Sequence, residues 1–525
     1  MPKRPLSFNQ KLLAFMIVML VVLVGAIAVI AILARNNQDS IAQMVSGFGE
    51  GERDETSPEL EEAERLIKEH PKEAEGYVKR GDFFQADGDY TASRKDYSTA
   101  ISLKPENAQW YHKRALVQDE LGRSIQDLNS AIELTPDKQY YFDRAGYHNR
   151  SENYGKALSD LKEAEKLGYS KAAVECCRGV IYVQMRDFDN AIVAYKSSIS
   201  TVPSASAKEN NWRDYYSQKH AYRELFKIYV VKADFISAEK QVGLWMAEKP
   251  KTGHEIEQHM ISEAFERGAA FFKGVGNPRK ERAAIISLIE IDSGEIEEHP
   301  QKYYPHIERG SHYLKVGRTA DARNDFEKAV ELYKAKEKPT PTTKIARVMN
   351  YLGDKSSAED QIKQMIFTHY EFISKHPRDA HGYHRRGGSY FQLEQFDLAL
   401  KDFQTAQTLG SEDAGYRIAK VLIRKKKYQE AIDECNRGLL VNKEGYRQSR
   451  LFSALAQGLE LSGRHREAIE AATKAIELQP FYGPSYFYRA KAYEGIGDTA
   501  RAKTNMIQAV ALGNTDEDDT IYSGI

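Results

Sequence analysis

Cysteine is scarce in this chain: there are 3 in 525 residues, Cys176, Cys177 and Cys435. Three thiols make no disulfide framework, no C-x-x-C pair offers a zinc ligand set, and the adjacent Cys176 and Cys177 read as small helix residues. Charge of one sign is missing too, since 75 Lys and Arg stand against 76 Asp and Glu. A net charge of -1 excludes the basic field that nucleic acid demands. There is no phosphate-cradling loop. Gly274-Val275-Gly276 lacks the Gly-Lys-Ser/Thr run that would follow, and it reads as a connection between helices. His381 and His384 could share a helix face, but two imidazoles without a third ligand make a polar groove surface and not a metal site. No nucleophile stands at a readable spacing from a base. No catalytic, cofactor-binding or metal residue is therefore expected, and the chain reads as non-enzymatic.

Long apolar runs are absent except for one. Leu12–Ala34 carries no charge and makes a helix of roughly 35 Å, enough to cross a bilayer. It exceeds a cleavable signal core, and Ile32-Leu33-Ala34 is a poor cleavage site, so an uncleaved anchor is expected. Lys3, Arg4 and Lys11 precede it. The positive-inside bias puts residues 1–11 in the cytoplasm as a stub and the rest of the chain on the far side, which is periplasmic for a bacterial inner membrane. Residues 35–57 lack apolar periodicity and read as a flexible tether. Ser57-Pro58 gives a helix start, with a capping hydroxyl and a proline in the first turn.

The remainder of the chain is too long for one core and carries an internal repeat. Gly81, Phe84, Gly88, Tyr90, Ser93, Tyr97, Ala100 and Pro105 set a spacing that returns at Gly179, Tyr182, Phe188, Ala191, Tyr195 and Pro203. It returns again at Gly310/Tyr313/Gly317/Ala322/Phe326/Ala329 and at Gly387/Tyr390/Phe396/Ala399/Phe403/Ala406. A copy three residues short holds Ala115, Ala131 and Pro136. Small residues at the Gly81 and Ser93 places let two antiparallel helices approach, large aromatics fill the space beside them, Gly88 ends the first helix and Pro105 stops the second. One such hairpin cannot bury its apolar face; stacked neighbours can.

The spacing resembles the tetratricopeptide repeat family over most of residues 58–514. The resemblance implies an all-α fold, a right-handed superhelical solenoid of helix-turn-helix repeats, here preceded by the one N-terminal transmembrane helix. Residues 58–250 form a first repeat segment. Residues 251–336 are divergent helical repeats that include a clear unit at 303–336. The proline-containing stretch 337–355 reads as a break, residues 356–514 as a second segment, and 515–525 as an acidic disordered tail.

Arg80-Gly81-Asp82 matches an adhesion tripeptide, but the repeat places it inside a helix. Arginine precedes the small residue in seven copies, at Arg80, Arg114, Arg144, Arg178, Arg309, Arg386 and Arg489, where the family usually has an apolar residue. Aspartate holds one fixed place in the second helix of five of them. Structural ion pairs are expected for Arg80–Asp96, Arg114–Asp127, Arg144–Asp160, Arg309–Asp325 and Arg386–Asp402, because a guanidinium grips a carboxylate with two parallel bonds. Asp96→Ala is expected to lower the melting temperature and Asp82→Ala to leave it unchanged.

The resemblance also implies a concave wall lined by the first helices. Carried onto this chain, it places His384, Arg385, Tyr416, Arg417, Lys420 and Arg424 there, with Lys425-Lys426-Lys427 extending the charge and Phe487, Tyr488 and Lys491 continuing the wall. Such a groove suits protein or peptide partners of acidic character. The chain then reads as a membrane-tethered interaction scaffold or adaptor, with no cofactor and no nucleic acid. Its oligomeric state is not legible. An anchor ahead of a repeat array also resembles the mitochondrial outer-membrane import receptors of this family, which would turn the repeats to the cytosol. In those receptors a lysine–asparagine clamp holds chaperone tails. The matching places here hold Val78, Asp82, Lys113, Gln139 and Asp143, departures that argue against such capture. A purely structural spacer or oligomer frame is the third reading.

Overall fold

The computed structural model describes residues 57–201, 212–247, 255–336, 339–443 and 445–513. The expected stub 1–11, the membrane segment 12–34, all of the tether but Ser57, and the tail 515–525 lie outside the described residues. Among the described residues no helix is long and apolar enough to cross a membrane.

The described chain is helical throughout and divides into two units, one ending at Leu225 and one beginning at Phe226. The first unit opens with α1 (Pro58–Glu69) and continues through four hairpins: α2 (Ala74–Ala86) with α3 (Tyr90–Leu103), α4 (Ala108–Leu116) with α5 (Leu121–Leu134), α6 (Lys138–Arg150) with α7 (Tyr154–Lys166), and α8 (Lys171–Gln184) with α9 (Phe188–Ser200). The division falls inside α10 (Trp212–Val231). The second unit holds α11 (Phe235–Ala247) and then seven hairpins. These are α12 (Glu255–Gly274) with α13 (Pro278–Glu298), α14 (Tyr304–Lys315) with α15 (Thr319–Lys334), α16 (Thr343–Tyr351) with α17 (Lys355–Lys375), and α18 (Ala380–Gln392) with α19 (Phe396–Thr408). The last three are α20 (Ala414–Arg424) with α21 (Tyr428–Val441), α22 (Gly445–Leu461) with α23 (His465–Leu478), and α24 (Gly483–Gly495) with α25 (Thr499–Ala511).

Each hairpin closes around the small-residue place. A Cβ added to Gly81 would sit 2.8 Å from the ring of Tyr97, itself wholly buried, and one added to Gly387 would sit 2.9 Å from Phe403. Several turns share one device: a residue with positive φ, then an acid or amide that caps the next helix. Gly88 (φ 79°) precedes Asp89, whose carboxylate accepts from Ala92 N at 2.9 Å. Gly497 (φ 80°) precedes Asp498, which accepts from Arg501 N at 3.0 Å. At the first helix the side chain of Ser57 does not cap; its hydroxyl turns to the Glu59 carboxylate.

Arg80, Arg114, Arg144, Arg309 and Arg386 each donate through Nε and Nη2 to both oxygens of an aspartate. The two bonds are 2.8 and 2.8 Å for Arg80–Asp96, 3.0 and 2.6 Å for Arg114–Asp127, and 2.9 and 2.7 Å for Arg144–Asp160. They are 2.8 and 2.7 Å for Arg309–Asp325 and 2.8 and 2.8 Å for Arg386–Asp402. The aspartates are buried. Three of the arginines also use Nη1 to reach the second helix of the preceding hairpin: Arg114 to Ser98 at 3.1 Å, Arg144 to Asn129 at 2.7 Å, Arg309 to Ser293 at 3.1 Å. One guanidinium therefore ties together three helices. Arg489 does the same with Asn505 at 2.7 Å and Thr473 at 3.3 Å. Arg178, which faces Ala194, turns instead to Glu165 and Glu175.

Two places take a form that the repeat pattern does not show. Residues 337–355 are not simply a break, because Pro339 and Pro341 stand ahead of α16, which Thr342 caps and which buries Ile345, Ala346, Val348 and Met349 against α14, α15 and α17. Asp82 is not idle either: it accepts from the buried Tyr97 hydroxyl at 2.7 Å and from Lys113 Nζ at 2.6 Å.

The second unit also returns on itself. Its last helix, α25, packs on α12. Gln508, 4% exposed, donates from Nε2 to the carbonyls of Val230 and Val231 at 3.1 and 3.0 Å, capping the end of α10. Gly274 lets the Ile507 backbone approach, and Lys227 Nζ lies 4.5 Å from the centroid of the Phe481 ring.

Candidate functional site

The second unit concentrates cations and phenols on its first helices α18, α20 and α22. His384, on α18, is partly buried and stands edge-on to Phe403 with centroids 5.5 Å apart. Burial, then the Arg417 guanidinium, lower its pKa to about 4 against the opposing pull of Asp413, so it is neutral at pH 7. Arg417 makes no ion pair among the described residues, and its guanidinium lies 5.8 Å from the Tyr416 ring centroid. Lys420 is buried (8% exposed) and donates to Gln457 Oε1 at 3.1 Å and to the Tyr488 hydroxyl at 3.5 Å. Arg385 is exposed beside them in sequence.

The structure adds residues that the sequence pattern did not single out. Arg450, on α22, lies 4.2 Å from the Tyr416 centroid and 5.6 Å from that of Tyr446, a cation between two π faces. Its Nη1 is 3.2 Å from Asp413 Oδ1. Burial raises the pKa of the neighbouring Tyr482 phenol. A spacing signal existed: Asp413 and Arg450 are 37 residues apart, as are Lys420 and Gln457, so each pair occupies one place in successive units.

Arg424 does not join this cluster. It reaches Glu394 Oε1 at 2.8 Å and lies against Phe391 and Phe396, at the turn between α18 and α19. The lysines that follow are largely neutralised: Lys425 meets Asp397, Lys427 meets Glu430 at 2.8 Å, and Lys426 takes the positive φ of the turn (60°). Phe487 and Tyr488 stack edge-on at 5.5 Å, and Lys491 is paired with Glu494 at 2.9 Å.

In the first unit the corresponding wall is self-paired. Lys113 is held by Asp82, and His112 Nε2 lies 2.7 Å from Asp143 Oδ2, which also accepts from Gln139. Burial raises the pKa of the Cys176 and Cys435 thiols, and the three cysteines are buried and form no disulfide among the described residues. Among the described residues no group of three or more His, Cys, Asp or Glu could hold a metal ion.

Helical hairpins stacked through a buried small-residue seam define a repeat protein of the helix-turn-helix class. Comparison gives the repeat its name: tetratricopeptide repeat models match residues 74–107 and 384–446, so the chain contains tetratricopeptide repeats. Mitochondrial import receptor subunit TOM70 of Homo sapiens is 22% identical over 437 residues, 78% of this chain and 65% of that protein. Serine/threonine-protein phosphatase 5 of Rattus norvegicus is 32% identical over 188 residues, 32% of this chain and 35% of that one. Tetratricopeptide repeat protein 13 of Homo sapiens is 25% identical over 107 residues, 20% of this chain and 12% of the relative. The chain thus spans less than two thirds of the curated relatives it matches. Among solved structures, yeast Tom70 aligns with 85% of this chain and 93% of its own at 15% identity and a TM-score of 0.25. MamA covers 32% of this chain and 97% of its own at 22% identity and a TM-score of 0.26. Scores that low carry no weight, and the fold rests on the helices themselves.

Proposed function

We propose that the protein is a non-enzymatic interaction scaffold that binds an acidic peptide segment of a partner at the wall formed by α18, α20 and α22. One observation carries this reading: Arg417 and Arg450 both lie against the Tyr416 ring, with Asp413 paired to Arg450 and Lys420 beside Gln457 and Tyr488, while His384 is kept neutral by burial and the cations beside it. Rigid phenols and guanidiniums supply contact area and charge-assisted bonds at low entropy cost. An acidic side chain arriving beside His384 raises its pKa, so binding takes up protons and tightens as pH falls from 7 towards 5. The same reading includes the membrane anchor: residues 12–34 hold the chain by a single pass, with the N-terminus cytoplasmic and the repeats on the far side.

The test is titration of an acidic peptide against the wild type and Arg417→Glu/Arg450→Gln. The expected result is a loss of at least tenfold in affinity and a flatter salt dependence. Equal affinity and equal salt dependence would dismiss the site.

A second reading, an organelle-surface receptor, is favoured by the similarity to TOM70 running over 78% of the chain. It places the repeats in the cytosol. The Lys113–Asp82 pair weighs against a chaperone-tail clamp in the first unit under either reading. Protease accessibility on sealed vesicles separates the two topologies.

A further inference from the structure

The hairpin α4–α5 is the short one. Its arginine and aspartate, Arg114 and Asp127, are 13 residues apart where the other four pairs are 16 apart. Helix α4 accordingly stops at Leu116 after 9 residues. In three full-length hairpins the residue four after the arginine is an aromatic whose ring lies against the guanidinium: Phe84 at 5.9 Å from Arg80, Tyr313 at 5.8 Å from Arg309, and Tyr390 at 6.0 Å from Arg386. Here that place is Gln118, beyond the helix end. An open cavity of about 460 Å³ lies there, bounded by Arg94 and Ser98 of α3, Arg114 of α4, Gln118, and Arg123 and Asp127 of α5.

Those walls hold three guanidiniums and one carboxylate. The carboxylate, Asp127, is already taken by Arg114 and by Gln118 Nε2 at 2.8 Å. Of the remaining two cations, Arg94 also reaches the Val117 carbonyl at 3.5 Å, and the carboxylates that answer both lie on the rim. Arg94 reaches Asp119 at 2.7 Å, and Asp119 is 64% exposed; Arg123 reaches Glu120 at 3.2 Å, and both are about 60% exposed. Rim pairs of this kind are weak and readily exchanged. The Gln118 Oε1 atom is buried and has no hydrogen-bond partner among the described residues.

We propose that this cavity is a binding site for a phosphoryl dianion. Displacing the two rim carboxylates, Asp119 and Glu120, would leave a surplus of two positive charges that matches the ligand, and the forked donors suit tetrahedral oxygens. Rotation of the Gln118 side chain would bring Oε1 out as an acceptor for a hydroxyl or amide next to the phosphoryl group. The source is either a free phosphate compound or a phosphorylated side chain of a partner protein. The site is independent of the peptide wall proposed for the second unit.

The full chain is titrated by calorimetry at constant ionic strength with inorganic phosphate, a phosphoserine peptide and the same peptide unphosphorylated. Saturable binding of phosphate and the phosphopeptide, but not of the bare peptide, is expected. Equal affinities assign the site to a small anion; a much tighter phosphopeptide assigns it to a modified protein. Arg94→Gln/Arg123→Gln should weaken binding at least tenfold, and Asp119→Asn/Glu120→Gln should tighten it severalfold by removing the rim competitors. Gln118→Phe restores the missing ring without touching charge; it should abolish binding while leaving the helical signal intact, so a folding defect in the arginine variant leaves the test standing. Absence of saturation at tens of millimolar phosphate, or binding unchanged in Gln118→Phe, overturns the proposal.

Discussion

At the scale of single residues, the arginine before the small helix residue sets the tolerance of each hairpin. Asp402 is 4% exposed and bound bidentately. Asp402→Ala strands the Arg386 guanidinium and should cost about 3–5 kcal/mol in urea unfolding, whereas Arg386→Met/Asp402→Leu, which removes both charges, should cost far less. Similar losses from the two variants would show that packing and not pairing is responsible. The sequence made these pairs legible because arginine and aspartate recur together at the same place in each copy, 16 residues apart in four and 13 in the short one; Arg178, lacking the aspartate, keeps no such pair. It did not reveal Arg450, whose partner Asp413 lies 37 residues away in the preceding unit, because nothing in a single hairpin marks either residue. His384 gives a pH signature. It is neutral when folded down to about pH 4 and protonated when unfolded below about pH 6.5. The unfolded chain therefore binds the extra proton between those values, and stability falls as pH drops through that window. His384→Gln should remove up to about 3 kcal/mol of that loss between pH 7 and 4, read from thermal unfolding across pH.

At the scale of elements, turns carry visible strain. The residue with positive φ is glycine in many hairpins but Glu152 (60°), Arg186 (65°), Glu394 (57°) and Lys426 (60°) in four others. An L side chain there costs about 1–2 kcal/mol, partly offset by the stiffer unfolded chain. Arg186→Gly and Lys426→Gly should each raise stability by roughly 0.5–1 kcal/mol, measured as a shift in denaturation midpoint. No shift would mean that the turns relax elsewhere. Helix α16 shows where element boundaries escaped the sequence: two prolines just before a helix look the same as two prolines ending an array. What distinguishes them is the apolar set Ile345, Ala346, Val348 and Met349, buried only because α14, α15 and α17 surround it.

At the scale of the second unit, the open end expected of a solenoid is absent. The last helix packs on α12, and Gln508 caps carbonyls of α10. Gln508→Ala leaves the partly buried Val231 carbonyl without its donor, while the Val230 carbonyl keeps the Ala233 N–H at 3.0 Å, and should cost about 0.5–1.5 kcal/mol. Hydrogen exchange should then quicken in α10 and α12 as well as in α25, and a change confined to α25 would mean that the seam carries no stability. This closure was beyond reach of a repeat pattern, since Gln508 and Val230 are 278 residues apart and no periodicity connects them. The closure also fixes the copy number. Arrays of this kind lengthen by duplicating a hairpin, yet a hairpin inserted anywhere between α12 and α25 would carry Gln508 past its carbonyls and pry the seam apart. Ancestry and engineering alike can then exchange hairpins within the second unit but cannot add or delete one.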